Sequence, residues 1–351
     1  MRRLPIFFVL DCSESMVGEH LNKMENGVAS IIQKLRKDPN ALETVYFSII
    51  PFAGIAKTLV PLVELVAFYP PKLPLGGGTS LGSALETLMA EIDKSVIKTT
   101  ADRKGDWRPI VYLWTDGRPT DNPDSAIAKW NANYAKKATL IAIGMGMAAD
   151  LTVLRRLTEN VILFEAAREG DFDKFINWVT ASVVAQSKSV GEGVDANGLP
   201  PLDESFMKII KEPVSSQTVD ENSVTLIGRC QKSHRPYILK YDRATQDVTT
   251  RDFKMKVSHY EISGCYPLEE EYFSWSDPRG IDQKVNTAEL IGSAGCPHCG
   301  AQSAFAVCDC EKLMCINGPG EAVCPWCKKS VSFSPNSSSE DGGFDVGRGR
   351  G

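Results

Sequence analysis

The chain has 351 residues, of which 43% are hydrophobic and 24% are charged, and its formal net charge is −5. The negative charge argues against nucleic acid or an anionic membrane as the main partner, because both attract proteins with a surplus of positive charge. The length exceeds what one hydrophobic core usually organises, so two domains are expected.

The N-terminal segment consists of Arg2 and Arg3 followed by an apolar run. That run is only as long as one β-strand, and no small-residue cleavage pattern follows it, which indicates mature protein rather than a signal peptide. No stretch of the sequence requires a membrane. We therefore expect a cytoplasmic protein.

From Leu4 to about Val190 the pattern alternates between buried strands and amphipathic helices. The predicted strands are Ile6–Leu10, Thr44–Phe52, Thr58–Val66, Arg108–Trp114, Thr139–Gly144 and Val161–Phe164, and the predicted helices are His20–Arg36, a helix with its apolar face from Leu81 to Ile92, Ser125–Lys137 and Phe172–Gln186. Strands that alternate with helices predict an α/β fold with a doubly wound, mostly parallel sheet. Ligands of such sheets gather at the carboxyl ends of the strands.

The remainder of the chain predicts a different organisation. Residues 1–190 form the α/β domain, and the polar, glycine-containing stretch 191–201 is interpreted as a linker. Residues 202–333 contain short β-type runs, including Tyr272–Trp275, and predict a small β-rich zinc-binding domain. The tail, 334–351, is rich in serine and glycine and is expected to be disordered.

An apolar run ends at Asp11-Cys-Ser13-Glu-Ser15. Because alternate residues of an extended segment point to the same face, Asp11, Ser13 and Ser15 can converge on one point. One carboxylate and two hydroxyls form a site of hard oxygen ligands, which suits Mg²⁺ better than zinc. The alternative is that Ser13 and Ser15 cap the following helix.

Two further segments favour the cation site. Thr79 follows a glycine loop and opens a helix, and Thr115-Asp116-Gly117 follows a buried strand. Both segments are expected near the carboxyl end of the sheet, where Asp11 lies. The glycine loop is not a P-loop, since no Gly-Lys-Ser/Thr sequence follows it.

Together these residues resemble the metal-ion-dependent adhesion site of von Willebrand factor A domains. The resemblance covers roughly residues 1–190 and implies that Ser13, Ser15 and Thr79 contact the cation while Asp11 and Asp116 hold its waters. Two carboxylates then offset the charge of the ion, and an open coordination position can accept an acidic side chain of a partner protein. The implied activity is cation-dependent protein binding.

An enzyme is the competing hypothesis. Aspartyl phosphotransferases of the haloacid dehalogenase type also carry an aspartate at the end of the first strand, and a Mg²⁺-dependent phosphatase or other hydrolase using Asp11 is the alternative function. Those enzymes have a second aspartate two residues later that acts as acid and base. Ser13 occupies that place here and cannot perform this task near neutral pH, so we expect no catalytic activity.

Seven of the ten cysteines lie between Cys296 and Cys327. The pairs Cys296/Cys299 and Cys324/Cys327 are Cys-x-x-Cys knuckles, and two knuckles can complete one tetrahedral zinc site. Between them Cys308, Cys310 and Cys315 are either buried thiols, ligands of a second site completed by His298 or a distant residue, or replacements for one knuckle. Glu311 stands where glycine would be expected after Cys-x-Cys. A further candidate set combines Cys230, His234, His259 and Cys265.

An adhesion-type domain followed by a cysteine-rich β domain resembles the bacterial tellurium-resistance TerY family, whose C-terminal part is a metal-binding module. That resemblance implies a cytoplasmic stress-response protein, connected with tellurite resistance or phage defence, which associates with a protein kinase and a PP2C-type phosphatase. A RING-like recruiter of another enzyme is a weaker alternative, because the order of the cysteines is unfamiliar for cross-bracing. Neither a nucleic acid nor a membrane is an expected partner, and the sequence does not predict the oligomeric state.

Overall fold

A computed structural model of the chain describes residues 2–115, 118–145, 151–164, 170–192, 200–201, 203, 205, 207–209, 223–249, 254–278, 283–333 and 343–349. The chain divides into two units. The first contains Met1–Pro74 and Thr79–Thr218, and the second contains Leu75–Gly78 and Val219–Gly351.

The first unit is built on a seven-stranded sheet in the order β3-β2-β1-β4-β5-β6-β7. Its strands are β1 (Leu4–Asp11), β2 (Val45–Phe52), β3 (Val60–Glu64), β4 (Ile110–Thr115), β5 (Thr139–Met145), β6 (Val161–Phe164) and β7 (Met207–Ile209). Its helices are α1 (Glu19–Leu35), α2 (Pro39–Thr44), α3 (Leu81–Ser95), α4 (Asp124–Asn133), α5 (Leu151–Arg155) and α6 (Asp171–Glu192). The neighbouring pairs from β2 to β6 are parallel, and the edge strands β3 and β7 are antiparallel.

The inner strand β1 shows that the sheet is covered on both faces. All eight of its residues are buried, and alternate side chains enter different cores: Phe8 packs in the cluster that includes α1 and α6, while Phe7 packs in the cluster that includes α3, α4 and α5. Each such side chain contributes about 1.5–3 kcal/mol by leaving water. The polar residues that end β1 and β4, Asp11 and Thr115, are thereby fixed at one edge of the sheet. The predicted α/β, doubly wound class is confirmed by this arrangement.

The second unit contains a six-stranded sheet in the order β12-β10-β9-β8-β14-β13 and two sheets of two strands, β11-β17 and β15-β16. The elements are β8 (Ser223–Arg229), β9 (Pro236–Thr249), β10 (Lys254–Pro267), α7 (Tyr272–Trp275), β11 (Lys284–Asn286), β12 (Leu290–Ile291), β13 (Ser303–Val307), β14 (Leu313–Ile316), β15 (Gly320–Val323), β16 (Ser330–Phe333) and β17 (Asp345–Gly347). Five cysteines lie in or beside its main core. The predicted β-rich second domain is therefore present.

Several predicted boundaries differ from the structure. Helix α6 continues to Glu192, and β7 adds an antiparallel edge to the first sheet through the buried Met207, so the first unit extends beyond residue 190. Residues 193–199 of the proposed linker lie outside the described residues. The run Tyr272–Trp275 is a helical turn and not a strand.

The tail also differs from the prediction of disorder over 334–351. Residues 334–342 and 350–351 lie outside the described residues, but β17 pairs with β11. Val346 is buried in the main core of the second unit, and the Arg348 side chain donates to the Ser223 carbonyl at 2.7 Å. The low apolar content of the tail predicted disorder, but residues 343–349 pair with β11, bury Val346 and donate backbone hydrogen bonds to the carbonyls of Gln283 and Thr225.

No helix in the part of the chain that the structure describes is both long enough and apolar enough to cross a membrane.

Candidate metal centres

The carboxyl end of β1 brings three predicted ligands together. The backbone N–H of Ser13 donates to Asp11 Oδ1 at 2.9 Å, and the Ser13 and Ser15 hydroxyls lie 3.0 Å apart. All three residues are buried. Ser13 has an extended backbone and makes no side-chain hydrogen bond that would cap the short helical turn after it, which argues against the capping interpretation.

The end of β4 contacts the same carboxylate. Thr115 donates its hydroxyl to Asp11 Oδ2 at 2.5 Å, because β1 and β4 are parallel neighbours and end together. Thr115 opens the third segment of the predicted site. The next residue, Asp116, lies outside the described residues.

Thr79 is positioned by its backbone. Its N–H donates to the Thr120 hydroxyl at 2.9 Å, and its carbonyl accepts from the Thr120 N–H at 2.9 Å. The next residue, Ser80, is tied to the segment after β2 through the carbonyls of Ala53 and Gly54. These bonds leave the Thr79 hydroxyl buried without a hydrogen-bond partner among the described residues.

A buried hydroxyl without a partner usually costs about 1–3 kcal/mol. That cost disappears if the oxygen binds a cation. The donor set therefore fits a hard divalent ion, since it offers hydroxyl oxygens beside a buried carboxylate. Burial raises the pKa of Asp11 to about 6, although hydrogen bonds from Thr115 and Ser13 act in the opposite direction. An adjacent positive charge would favour the ionised form of this carboxylate.

The second unit contains two groups of four cysteines, in each of which all sulfur atoms lie within 4.8 Å of one another. Cluster 1 consists of Cys230, Cys296, Cys299 and Cys315, and cluster 2 consists of Cys308, Cys310, Cys324 and Cys327. Sulfurs that surround a zinc ion at about 2.3 Å are about 3.8 Å apart. The Sγ separations are 3.6 Å for Cys299–Cys315, 3.7 Å for Cys308–Cys327 and 3.8 Å for Cys310–Cys324. Both sets suit a tetrahedral, thiolate-binding metal ion.

The two knuckles predicted to share one tetrahedron lie in different clusters. Strand β14 is a parallel neighbour of β8, which brings Cys315 to the turn that contains Cys230. The β15-β16 hairpin instead places its knuckle against the β13–β14 turn with Cys308 and Cys310. Cys308, Cys310 and Cys315, for which the sequence left several roles open, thus all belong to a cluster. Two candidate metal sites replace the single zinc site predicted from the two knuckles.

Cys230 belongs to a knuckle that the sequence prediction missed. The N–H of Cys296 donates to the Ala301 carbonyl at 2.8 Å and that of Cys324 to the Lys329 carbonyl at 2.9 Å. The N–H of Cys230 likewise donates to the Arg235 carbonyl, at 2.9 Å.

The three knuckles share a second feature. The residue four positions after the first cysteine has a positive φ in each, namely His234 (59°), Gly300 (70°) and Lys328 (63°). Ser233 stands where the other two knuckles have their second cysteine, so Cys-x-x-Ser was the available sequence signal. Cys315 supplies the fourth thiol of cluster 1 from a distant strand.

Cys230 was also predicted to form a metal site with His234, His259 and Cys265, and these three residues do not join a cluster. The His234 side chain does not take part in cluster 1, His259 pairs with Glu261 at 2.9 Å, and Cys265 belongs to neither cluster among the described residues. Glu311 adopts the left-handed conformation, with φ of 61°. The turn after Cys308 therefore forms without the expected glycine.

Two thiols are prepared for deprotonation. Burial raises the pKa of Cys230, but hydrogen bonds from Ser233, Cys299 and the Lys232 backbone together outweigh this effect and lower it to about 6. The backbone N–H of Lys329 lowers the pKa of Cys327 to about 7. Burial raises the pKa of Cys308 to about 12. Such a mixture is expected where four thiols crowd together, because only a bound cation can offset several thiolates at once.

Comparison with known proteins agrees with this division. The family model of the von Willebrand factor type A domain matches residues 6–177. The first unit is therefore a von Willebrand factor A domain.

The model of the TerY-C metal binding domain matches residues 220–351. The chain is thus a von Willebrand factor A protein with a C-terminal TerY-C metal-binding domain, as the sequence resemblance predicted. No curated protein matched the chain significantly.

Solved structures share low identity with the chain. Proximal thread matrix protein 1 from the mussel byssus, in a structure with a zinc-occupied adhesion-site motif, is 18% identical with a TM-score of 0.38, covering 52% of this chain and 48% of that one. BatB from Bacteroides thetaiotaomicron is 15% identical with a TM-score of 0.36, covering 53% of this chain and 99% of that one. The ArnB paralog VWA2 from Sulfolobus acidocaldarius is 13% identical with a TM-score of 0.38, covering 77% and 66%. The chain spans about half, 48%, of the first solved structure that it matches.

Proposed function

We propose that the von Willebrand A domain binds a protein partner through a divalent cation, Mg²⁺ in the cell. Asp11, Ser13, Ser15, Thr79 and Asp116 would hold the ion. The observation that carries this proposal is the buried Thr79 hydroxyl, which has no hydrogen-bond partner among the described residues. In the same domain β1 ends at a buried carboxylate, and two buried hydroxyls follow it.

Neutral hydroxyl ligands leave the ion electrophilic, and Mg²⁺ usually keeps coordination positions for waters. An acidic side chain of a partner can replace one of these waters. The partner contact then depends on the cation as well as on the two protein surfaces.

Binding rather than catalysis is favoured by the environment of Asp11. Both carboxylate oxygens already accept hydrogen bonds, from the Ser13 N–H and from the Thr115 hydroxyl. Each oxygen has a second lone pair, with which it can hold a water of the ion's coordination shell. Residue Ser13 also stands where the related phosphotransferases carry their acid and base. We therefore assign the site to cation-dependent protein binding. Phosphoester hydrolysis at this site would refute the assignment.

The TerY-C domain supports a role in a signalling complex. By similarity to the TerY family, we propose a cytoplasmic scaffold in a bacterial stress response, connected with tellurite resistance or phage defence, whose partners are a protein kinase and a PP2C-type phosphatase. We assign zinc to both cysteine clusters, because four thiolates at tetrahedral spacing are its usual structural donor set.

The test compares the full chain with Thr79→Ala. Calorimetric titration with Mg²⁺ should show one site in the wild type and an affinity that is weaker by about tenfold or more in the variant. Thr87→Ala is a matched control, because Thr87 lies on α3, the helix that begins two residues after Thr79, and among the described residues its hydroxyl donates to the carbonyls of Ala56 and Ser83. EDTA alone is a poor comparison, since it also removes metal from cysteine clusters.

Capture of the kinase or phosphatase should require Mg²⁺ and should fail for Thr79→Ala, with zinc content unchanged. Equal capture by the wild type and Thr79→Ala would contradict the adhesion role. Steady phosphoester turnover that Asp11→Asn abolishes would favour the hydrolase instead.

A further inference from the structure

Arg229 links the Cys230 knuckle of cluster 1 to the side chain of Glu270. It ends β8 and directly precedes Cys230. Its guanidinium donates to the His234 carbonyl, within the Cys230 knuckle, at 2.8 Å. It also forms a two-pronged ion pair with Glu270, at 2.5 and 2.8 Å. Only 18% of the Arg229 side chain is exposed. A guanidinium held by both prongs has a defined plane as well as a defined position.

The face of the same guanidinium lies over the second cluster's knuckle. Its carbon is 4.6 Å from the ring centroid of Trp326, which stands between Cys324 and Cys327. Phe273 is 5.0 Å from the guanidinium and meets Trp326 edge-on, with centroids 6.2 Å apart. Arginine over an indole ring is a favourable cation–π arrangement, stronger where water is excluded. Arg229 therefore contributes to the orientation of Trp326, and it lies closer to the ring than Lys312, whose Nζ is 5.8 Å from the same centroid.

Strand β14 makes a second connection between the clusters. It begins shortly after the Cys310 turn and carries Cys315, and its Met314 is the register partner of Arg229. The Gln231 N–H donates to Cys315 Sγ at 3.2 Å. At the other end of the strand, the Leu313 carbonyl accepts from the Trp326 indole N–H at 2.7 Å. The two ends of β14 thus contact different clusters. Cys315 lies beside the Cys230 knuckle of cluster 1, and Leu313 binds Trp326 in the Cys324–Cys327 knuckle of cluster 2.

We propose that a metal ion in cluster 1 strengthens metal binding at cluster 2, and that Arg229 is the positioning residue that transmits this coupling. The inference rests on the assignment of both clusters as metal sites. A metal ion in cluster 1 fixes the Cys230 knuckle, and with it the His234 carbonyl that holds Arg229. The fixed guanidinium holds Trp326, so the Cys324–Cys327 knuckle is ordered before its own ion arrives. Such preorganisation raises affinity without adding a ligand.

The experiment is a Co²⁺ titration of the metal-free full chain, followed by thiolate-to-cobalt absorption. In the wild type, cluster 2 should bind about tenfold more tightly than in Cys296→Ser/Cys299→Ser, which lacks cluster 1. Arg229→Lys keeps all eight thiols and the charge but loses the planar fork. It should weaken cluster 2 severalfold when cluster 1 is intact and have no further effect in the Cys296→Ser/Cys299→Ser background.

Arg235→Lys is the matched control. Arg235 is in the same knuckle and pairs with Glu269, but it does not contact Trp326 in the described contacts, so its replacement should leave both affinities unchanged. A purely structural role of Arg229 would weaken cluster 2 equally in both backgrounds, and that result overturns the proposal. Equal cluster 2 affinity with and without cluster 1 also overturns it. Absence of any thiolate–cobalt band would instead refute the metal assignment itself.

Discussion

Replacing Asp11 with asparagine should stabilise the cation-free protein while abolishing its response to Mg²⁺. Asp11 is fully buried, and burial raises its pKa from 3.8 to about 6. The difference, 6 − 3.8, is about 2 pKa units, and each unit corresponds to about 1.4 kcal/mol. An ionised Asp11 therefore costs the cation-free fold about 3 kcal/mol at neutral pH.

The pH dependence of this contribution to stability follows from proton linkage. Between pH 4 and 6 the folded protein binds more protons at Asp11 than the unfolded chain does, so stability from this group is present at low pH and is lost as the pH rises through about 6. Asparagine has the same shape and carries no charge. Its carbonyl can accept from the Ser13 N–H, and its amide can donate to the Thr115 hydroxyl.

Urea unfolding at pH 7.5 without divalent cations measures the effect. Asp11→Asn should be more stable than the wild type by about 1–3 kcal/mol, and Mg²⁺ should stabilise only the wild type. The matched control is Asp106→Asn, which removes a carboxylate already paired with Arg3 and should destabilise the fold by about 1–3 kcal/mol. If Asp11→Asn proves no more stable than the wild type, or still responds to Mg²⁺, the reasoning about this carboxylate is wrong.

Three further predictions concern the two metal centres. Affinity for Mg²⁺ should fall about fourfold between pH 7.5 and pH 5.5, because Asp11 takes up a proton near pH 6; calorimetry checks this, and a pH-independent affinity would contradict it. Glu311→Gly should stabilise the metal-loaded chain by about 0.5–1 kcal/mol in thermal melting by relieving its left-handed backbone, whereas Glu321→Gly in β15 should destabilise it by a similar amount. Cys315→Ser should lower zinc content by about one ion per chain in elemental analysis, and adding Ser233→Cys should restore it; failure of this rescue would refute the third knuckle.

Local spacing predicted the features that depend on a few consecutive residues. The alternating spacing predicted that Asp11, Ser13 and Ser15 meet, and they do, although Ser15 lies in the helical turn Glu14–Met16 and not in a continued strand. The carboxyl ends of β1 and β4 meet because adjacent parallel strands share a direction. Cys-x-x-Cys likewise marks a knuckle wherever it occurs. The α/β class and the β-rich second domain could be predicted in this way, and the family architecture was predicted by resemblance to known families.

The pairing of the knuckles could not be predicted from local spacing. Cys315 meets the Cys230 turn across 84 residues, counted from Gln231, because β14 lies beside β8. Nothing within either segment encodes this neighbour. The Cys230 knuckle was also missed because Ser233 stands where a second cysteine would mark it. The shape of this knuckle is set by backbone hydrogen bonds and a positive φ at His234, and not by a second thiol.

The sequence by itself determined which side chains are able to bind metal, and at which strand ends and turns they stand, because spacing and side-chain chemistry are local. Tertiary structure decided which of them share an ion. Strand order grouped eight cysteines into two sets of four, and the packing around Thr79 left its buried hydroxyl without a protein partner among the described residues. Both outcomes depend on contacts between segments far apart in the chain, where many alternative pairings satisfy the same local pattern.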